Sequence, residues 1–244
     1  MTFPNMTIFG IPISVMKLSE TADYLESMIR SRKVCQVVTI NPIMIMHGLQ
    51  HPSYLRMLQE AELCVPDGAG VVWAASYTGK ARIERVPGID LTQELLQRSE
   101  RQGYRVYLLG ADRETISLAA ANLAKRYPKL QLVGYRDGYF TDDQDDAVIE
   151  DIRRCQPDIL LVGRSLHNQE PWIAMHKKRL QVPVMMGVGG SFDIFAGKLR
   201  RAPEAFQRLN LEWLYRLLQE PRRFTRMLAL PRFVLKVMLN RRRV

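Results

Sequence analysis

The chain has 244 residues, 47 % of them hydrophobic, and its 35 Lys and Arg against 25 Asp and Glu leave a net charge of +10. That length suits one large domain, or a domain with an appendage, and buries enough surface to need no disulfide staple. Its three cysteines, Cys35, Cys64 and Cys155, sit in or beside apolar runs as reduced thiols do, and no run approaches the ~20 apolar residues of a membrane span.

Taken in chain order, the first ten residues lack a basic segment followed by a long apolar core, so no signal peptide is expected. Residues 34–40 (VCQVVTI) form a β-branched run that reads as a strand, and Asn41-Pro42 then supplies an N-cap and a first-turn proline. His47 and His51 have the spacing of a metal pair, but no third ligand accompanies them and they read as structural. Residues 62–65 are a short apolar run stopped by Pro66 and followed by Asp67-Gly68. Asp67 stands at the end of a strand beside flexible backbone, which suits a catalytic carboxylate, a turn residue or a helix N-cap. Residues 104–109 (YRVYLL) are another strand, ended by Gly110, and a helix follows with Asp112 as cap and Ile116, Ala119, Ala120, Leu123 and Ala124 at helical spacing. Strands are also expected at 130–133, 158–162 and 182–186.

This alternation predicts an α/β fold with a mainly parallel, Rossmann-like sheet covered by helices on both faces. Ligands of such sheets bind at the carboxyl ends of the strands. Thr39, Asn41, Asp67, Gly68, Gly110, Gly163 and the turn Gly187-Val188-Gly189-Gly190 fall at those ends. Backbone N–H groups of that last turn suit a phosphate, although neither a Walker A loop nor a full dinucleotide fingerprint is present. The acids of "TDDQDD" at 141–146 include an Asp-x-Asp of the kind some metal-dependent sugar transferases use. Thr141 reads instead as an N-cap whose acids fill a first helical turn, so replacing Asp143 and Asp145 by Asn should cost little.

Charge is unevenly distributed. Residues 198–244 hold 13 of the basic side chains and three acids, Glu204, Glu212 and Glu220, so residues 1–197 carry 22 of each sign. The chain therefore divides into a body, 1–197, and a basic amphipathic helical appendage, 198–244, broken by Pro221 and Pro231. Trp213, Leu214, Leu217 and Leu218 share one face. Phe224, Met227 and Leu228 stand against Arg222, Arg223 and Arg226, and Phe233, Val234, Val237 and Met238 against Arg232, Lys236 and Arg241–Arg243. A basic tail on a neutral body seeks an anionic partner, and large apolar residues among the cations point to the membrane interface. Nucleic acid is disfavoured, as no helix-turn-helix, zinc or RNA-stacking signature accompanies the charge.

Thr39-x-Asn41, "PDGAG" at 66–70, "ERVPGIDL" at 84–91, "LLGA" at 108–111, "GYFT" at 138–141, Gln169-Glu170-x-Trp172, "GVGGSFD" at 187–193 and "RAPEAFQRLNLEWLYRLLQEPRR" at 201–223 follow one another along the chain. Together they resemble the WecG/TagA/CpsF family of bacterial glycosyltransferases over nearly its whole length. The resemblance implies an inverting transfer from a UDP-sugar to undecaprenyl-diphosphate-linked GlcNAc, with no metal or other cofactor, by a peripheral enzyme on the cytoplasmic face of the membrane. It implies UDP-ManNAc as donor, with UDP-ManNAcA and UDP-glucose as alternatives. By the same resemblance Asp67 is the general base, with Thr39, Asn41, Arg85 and Gln169 around the reacting sugars. Gly68, Gly110, Gly187, Gly189, Gly190 and Asp193 then serve the nucleotide, and Arg216, Arg223 and Arg226 the phosphates. The family's usual Gly-x-Pro-Lys/Arg-Gln-Glu is altered to "GRSLHNQE" at 163–170, where His167 and Asn168 replace the proline and the basic residue. The oligomeric state stays open, a homo-oligomer included.

Overall fold

The structure is a computed structural model that describes residues 3–165 and 168–241. His167, Arg242 and Arg243 lie outside the described residues.

The chain opens with a hairpin absent from the expected elements, β1 (Asn5–Ile8) and β2 (Ile11–Ser14). Phe9 and Gly10 join the strands with φ of 50° and 77°. Two positive φ values give the turn a twist that matches paired strands. Met6 and Ile8 alternate inward with period two, and the hairpin lies beside β4. Then come α1 (Leu18–Arg30), β3 (Cys35–Ile40), α2 (Pro42–Gln50), α3 (Pro52–Glu60), β4 (Leu63–Pro66), α4 (Ala69–Thr78) and α5 (Gly88–Gln102). Next are β5 (Arg105–Gly110), α6 (Arg113–Arg126), β6 (Gln131–Arg136), α7 (Asp145–Arg154), β7 (Ile159–Gly163), α8 (Gln169–Leu180), β8 (Val184–Gly187) and α9 (Ser191–Phe195).

The six strands β3 to β8 form one parallel sheet in the order β4-β3-β8-β7-β5-β6. Both faces are covered, as the near-continuous apolar strands require. Val37, Val65, Leu108 and Leu161 point to one face, under α1, α5, α6 and α9. Val38, Ile40 and Cys64 point to the other, under the hairpin, α2 and α4. Tyr107, Leu109, Leu160 and Val162 continue that second face beneath α7 and α8. The helix after β5 follows its expected pattern, with Ile116, Ala119, Ala120 and Leu123 buried and Asp112 accepting from the Thr115 N–H at 2.8 Å; Ala124 is exposed.

Residues 198–241 add α10 (Glu204–Arg208), α11 (Glu212–Gln219), a 3₁₀ turn begun by Pro221, α12 (Phe224–Met227) and α13 (Ala229–Leu239). Pro231 does not break the chain as expected. It lies in the first turn of α13, where its missing N–H costs no helical hydrogen bond. The tail's apolar residues also divide differently. Phe233 and Val237 are fully buried among Val71, Ala74 and Ile45, whereas Val234, Leu235, Met238 and Leu239 are exposed beside Arg232, Lys236 and Arg241. One stripe of α13 thus completes the body's core and the opposite stripe faces outward. Among the described residues no helix is long and apolar enough to cross a membrane.

Candidate active site

Asp67 follows β4 directly, and its own N–H and that of Gly68 both donate to the Ile40 carbonyl of β3, at 3.0 and 3.2 Å. The Gly-rich turn beyond it is forced by a close approach. A Cβ on Gly68 would stand 2.6 Å from Pro42 Cδ and one on Gly70 2.7 Å from Pro42 Cγ, so α4 starts hard against the first turn of α2. Asp67 does not cap α4. Its Oδ1 accepts from the Gly88 N–H at 2.8 Å, at the start of α5. Burial pushes the carboxyl up to about 6, against the opposing pull of that N–H and of Arg85. A carboxylate so poised is ionised at neutral pH yet able to accept a proton.

Two cavities meet at this group. The smaller, about 430 Å³, is walled by Pro42, Ile43, Ile89, Trp213, Leu230 and Phe233, with Arg85, Arg200 and Arg201 among them. The larger, about 860 Å³, is lined by Gln169, Gly189, Gly190 and Asp193 on one side and by Arg216, Arg223 and Arg226 on the other. Thr39, Asn41, Asp67 and Arg216 border both. Asn41 is the N-cap of α2, its Oδ1 accepting from the Ile43 and Met44 N–H groups at 3.0 and 3.1 Å, which leaves its NH₂ as the group it can offer. Arg85 is held by Glu212 of α11 at 2.5 Å and by Asn210 at 3.4 Å, so the appendage closes over the body here.

The break at Pro221 folds the appendage across the larger cavity, and Arg216, Arg223 and Arg226 share that wall although they lie on three different elements. Glu220 pairs with Arg223 at 2.8 Å and, more loosely, with Arg216 at 3.5 Å. Arg216 presses on the Gly-rich turn so closely that a Cβ on Gly190 would collide with its guanidinium. Its Nη2 is buried with no partner among the described residues, and burial, with Arg223 nearby, lowers its pKa. Asp193 faces both arginines, and burial raises its pKa. Gly110 and Gly187 border neither cavity. Gly110 packs against the Gly163 backbone, and Gly187 leaves room for the Glu170 carboxylate.

Sequence reasoning missed Glu212 and Arg164. Arg164 lines the larger cavity, donates to the carbonyls of Gly138 and Phe140 at 3.1 and 3.2 Å, and lies 4.1 Å from the Phe140 ring centroid. The altered stretch "GRSLHNQE" was the available signal. Nothing in local sequence marked Glu212, whose partner is 127 residues away.

The acids at 141–146 do begin a helix, with Thr141 in a reciprocal cap with Gln144 before a 3₁₀ turn and α7. Asp145 corrects the expectation that its replacement costs little. It is buried, accepts from Trp172 Nε1 at 2.7 Å and lies 3.0 Å from His176 Nε2, so it ties α7 to α8. Asp145→Ala strands both partners and is expected to lower stability by about 2–4 kcal/mol in urea unfolding, while Asp143→Asn stays within about 0.5 kcal/mol. Among the described residues no three His, Cys, Asp or Glu side chains converge as a metal set would. The rings of His47 and His51 are 4.1 Å apart, with Tyr54 edge-on to His47.

The strand ends of the parallel sheet, where such folds bind ligands, thus carry one poised carboxylate between an apolar and an arginine-lined cavity. The chain belongs to the Glycosyl transferase WecG/TagA/CpsF family, whose sequence model matches residues 6–244. It is similar to the N-acetylglucosaminyldiphosphoundecaprenol N-acetyl-beta-D-mannosaminyltransferase of Staphylococcus aureus strain MW2, 36 % identical over 208 residues that cover 85 % of this chain and 81 % of the relative. A Bacillus subtilis strain 168 protein of the same name is 34 % identical over 233 residues, 95 % of this chain and 90 % of the relative.

Proposed function

We propose that this enzyme transfers N-acetylmannosamine from UDP-ManNAc to the 4-hydroxyl of GlcNAc on undecaprenyl diphosphate, with inversion and without a metal ion. The relatives' names support the sugar and the acceptor. The observation that carries the chemistry is Asp67, a carboxylate poised near pH 6 where an apolar cavity meets an arginine-lined one. In this reading the nucleotide occupies the larger cavity, with its diphosphate between the Gly189-Gly190 turn and Arg216, Arg223 and Arg226. The acceptor sugar enters from the smaller cavity, with Arg85 and Arg201 near its phosphates. Asp67 takes the hydroxyl proton, the freed oxygen attacks the anomeric carbon on the face opposite UDP, and the C–O bond to UDP breaks. The departing charge meets guanidinium groups in a water-poor site, where each interaction is strengthened.

Residues 1–197 act as the catalytic body and 198–244 as the appendage that meets the cytoplasmic face of an anionic membrane. The outward stripe of α13 and exposed Phe224 and Leu228, set among Arg222, Arg232, Lys236 and Arg241, support that contact. Arg164 favours a second donor, UDP-ManNAcA, whose carboxylate suits a guanidinium in the same cavity.

The test is a panel of UDP-ManNAc, UDP-ManNAcA and UDP-glucose with a lipid-diphosphate-GlcNAc analogue, read by acceptor-dependent UDP release. UDP-ManNAc is expected to turn over fastest, and a faster rate with another donor reassigns the sugar. Turnover is expected to survive EDTA. Loss in EDTA that Mn²⁺ or Mg²⁺ restores would overturn the metal-free step.

A further inference from the structure

Glu170 is a fully buried carboxyl at the start of α8, and the transfer step above gives it no task. Its two oxygens are flanked by amide NH₂ groups. Gln169 Nε2 donates to Oε1 at 3.2 Å and Gln36 Nε2 to Oε2 at 3.4 Å. Both oxygens therefore accept, which suits an ionised carboxylate; protonation keeps the carbonyl oxygen as the strong acceptor and turns the other oxygen into a donor. Gln36 is pinned, because the same Nε2 also donates to the Glu170 carbonyl at 3.1 Å. Apart from its bond to Glu170, Gln169 is held through its Oε1, which accepts from the Gly189 N–H at 3.1 Å.

We propose that Glu170 is a positioning residue: its carboxylate fixes the Gln169 amide with oxygen toward Gly189 and one N–H toward the bound donor, and protonating Glu170 turns that amide and weakens donor binding. The inference rests on the reading that the larger cavity holds the nucleotide sugar. With Oε1 and one N–H committed, the second N–H of Gln169 has no partner among the described residues, so the donor meets a hydrogen-bond donor there and never an acceptor. A proton on Oε1 would meet that NH₂ head-on. The amide then relaxes by rotating, which breaks the Gly189 contact and turns an oxygen toward Glu170. The absence of a side chain at Gly187 belongs to the same device, since a Cβ there would collide with Glu170 Oε1.

Burial raises the Glu170 pKa to about 7 against the pull of the two amides, so the rotation falls in the neutral range. Tyr54 from α3 and Cys64 from β4 also face it, and burial holds both far above neutrality, so neither titrates there. Glu62 and Lys177 pair with each other at 2.7 Å beyond Gln36, and His47 lies one step away against the Tyr54 ring.

The experiment measures KM for UDP-ManNAc and kcat from pH 5.5 to 8.5 with the full chain, Glu170→Gln and Gln36→Met. A nucleotide sugar's diphosphate loses no proton in this range, so the KM profile reports the protein. For the unsubstituted chain KM is expected to rise as pH falls through about 7, whereas kcat falls nearer pH 6 with Asp67. Glu170→Gln, which sets a donor against a donor at every pH, is expected to show KM about tenfold higher at pH 8, flat with pH, and kcat within about threefold. Gln36→Met removes a hydrogen bond that favours the charged form and is expected to move the KM midpoint upward. An unchanged KM in Glu170→Gln, or a pH-independent KM in the unsubstituted chain, overturns the proposal. Failure of the unsubstituted chain to use any nucleotide sugar overturns the reading beneath it instead.

Discussion

Asp67→Asn is expected to cut turnover about 10²–10⁴-fold, the range for losing a positioned base, while making the protein more stable. Both effects follow from one property. In the unfolded chain this carboxyl titrates at the ordinary Asp value, and in the native state at about 6. The native state therefore holds its proton more tightly, and ionising Asp67 costs native stability progressively as pH rises through that window. Above pH 6 the cost is fully present, on the order of 2–3 kcal/mol for a shift of this size. The amide introduced by Asp67→Asn carries no charge to bury, and its carbonyl oxygen can still accept from the Gly88 N–H. The melting temperature at pH 7.5 should rise by several degrees, and the gap between the two proteins should close toward pH 4. In the unsubstituted enzyme kcat should climb about tenfold per pH unit below 6 and level off above it. A variant that turns over near the original rate returns Asp67 to the role of a turn residue, and one that melts lower at pH 7.5 removes the burial argument.

Strand and helix order in the body was legible because its signals are local. Apolar β-branched runs, the Asn41-Pro42 cap and the Asp112 cap need only neighbours in sequence, and each falls where expected. The opening hairpin was not, because Phe9 stands in its turn where Asn or Asp usually marks one. The tail shows the limit of periodicity. An amphipathic pattern says that α13 has an apolar side, but Phe233 and Val237 are indistinguishable by composition from Leu235 and Met238. What separates them is the shape of the α2–α4 surface, whose Ile45, Val71 and Ala74 lie far from α13 in sequence.

Legibility of the site divides on the same physical line. Strand-end positions follow from the topology of parallel sheets, so Thr39, Asn41, Asp67 and the 187–190 turn were readable as a group. Contacts made across the fold were not. Glu212 reaches Arg85, Asp145 reaches Trp172 and His176, and Glu170 meets Gln36 of β3, and in each case chemistry depends on what a distant element brings. Asp145 is the instructive error. An acid in a first helical turn is ordinarily a solvated partner of the helix dipole, and only the packing of α7 on α8 turns it into a buried tie.

Arg216→Met is expected to lower kcat about 10²–10³-fold, with a smaller effect on acceptor KM. The guanidinium stands in the wall of the larger cavity, its Nη2 is buried with no partner among the described residues, and Glu220 answers it only at 3.5 Å. The side chain is about a third exposed, but its buried Nη2 makes the charge costly to hold, and burial lowers its pKa. Only an anion repays that cost, and under the proposed reaction the anion grows on the leaving UDP as the glycosidic bond breaks. The interaction is then strongest in the transition state, so its loss should fall on kcat, as removal of an oxyanion-stabilising donor does. Met replaces the apolar stem of the side chain without the charge, and as with Asp67→Asn the substituted protein should melt higher than the original. Arg216→Lys should recover only part of the rate, since one ammonium cannot span the positions of a planar fork. Arg241→Ala is the contrasting case. Its guanidinium lies 5.1 Å from the Tyr77 ring centroid, far along the tail, and its loss should weaken binding to anionic liposomes while leaving kcat on a soluble acceptor analogue within about twofold. Equal losses of kcat in Arg216→Met and Arg241→Ala would mean that the appendage acts as an anchor alone, and that the guanidinium over the Gly-rich turn takes no part in the chemistry.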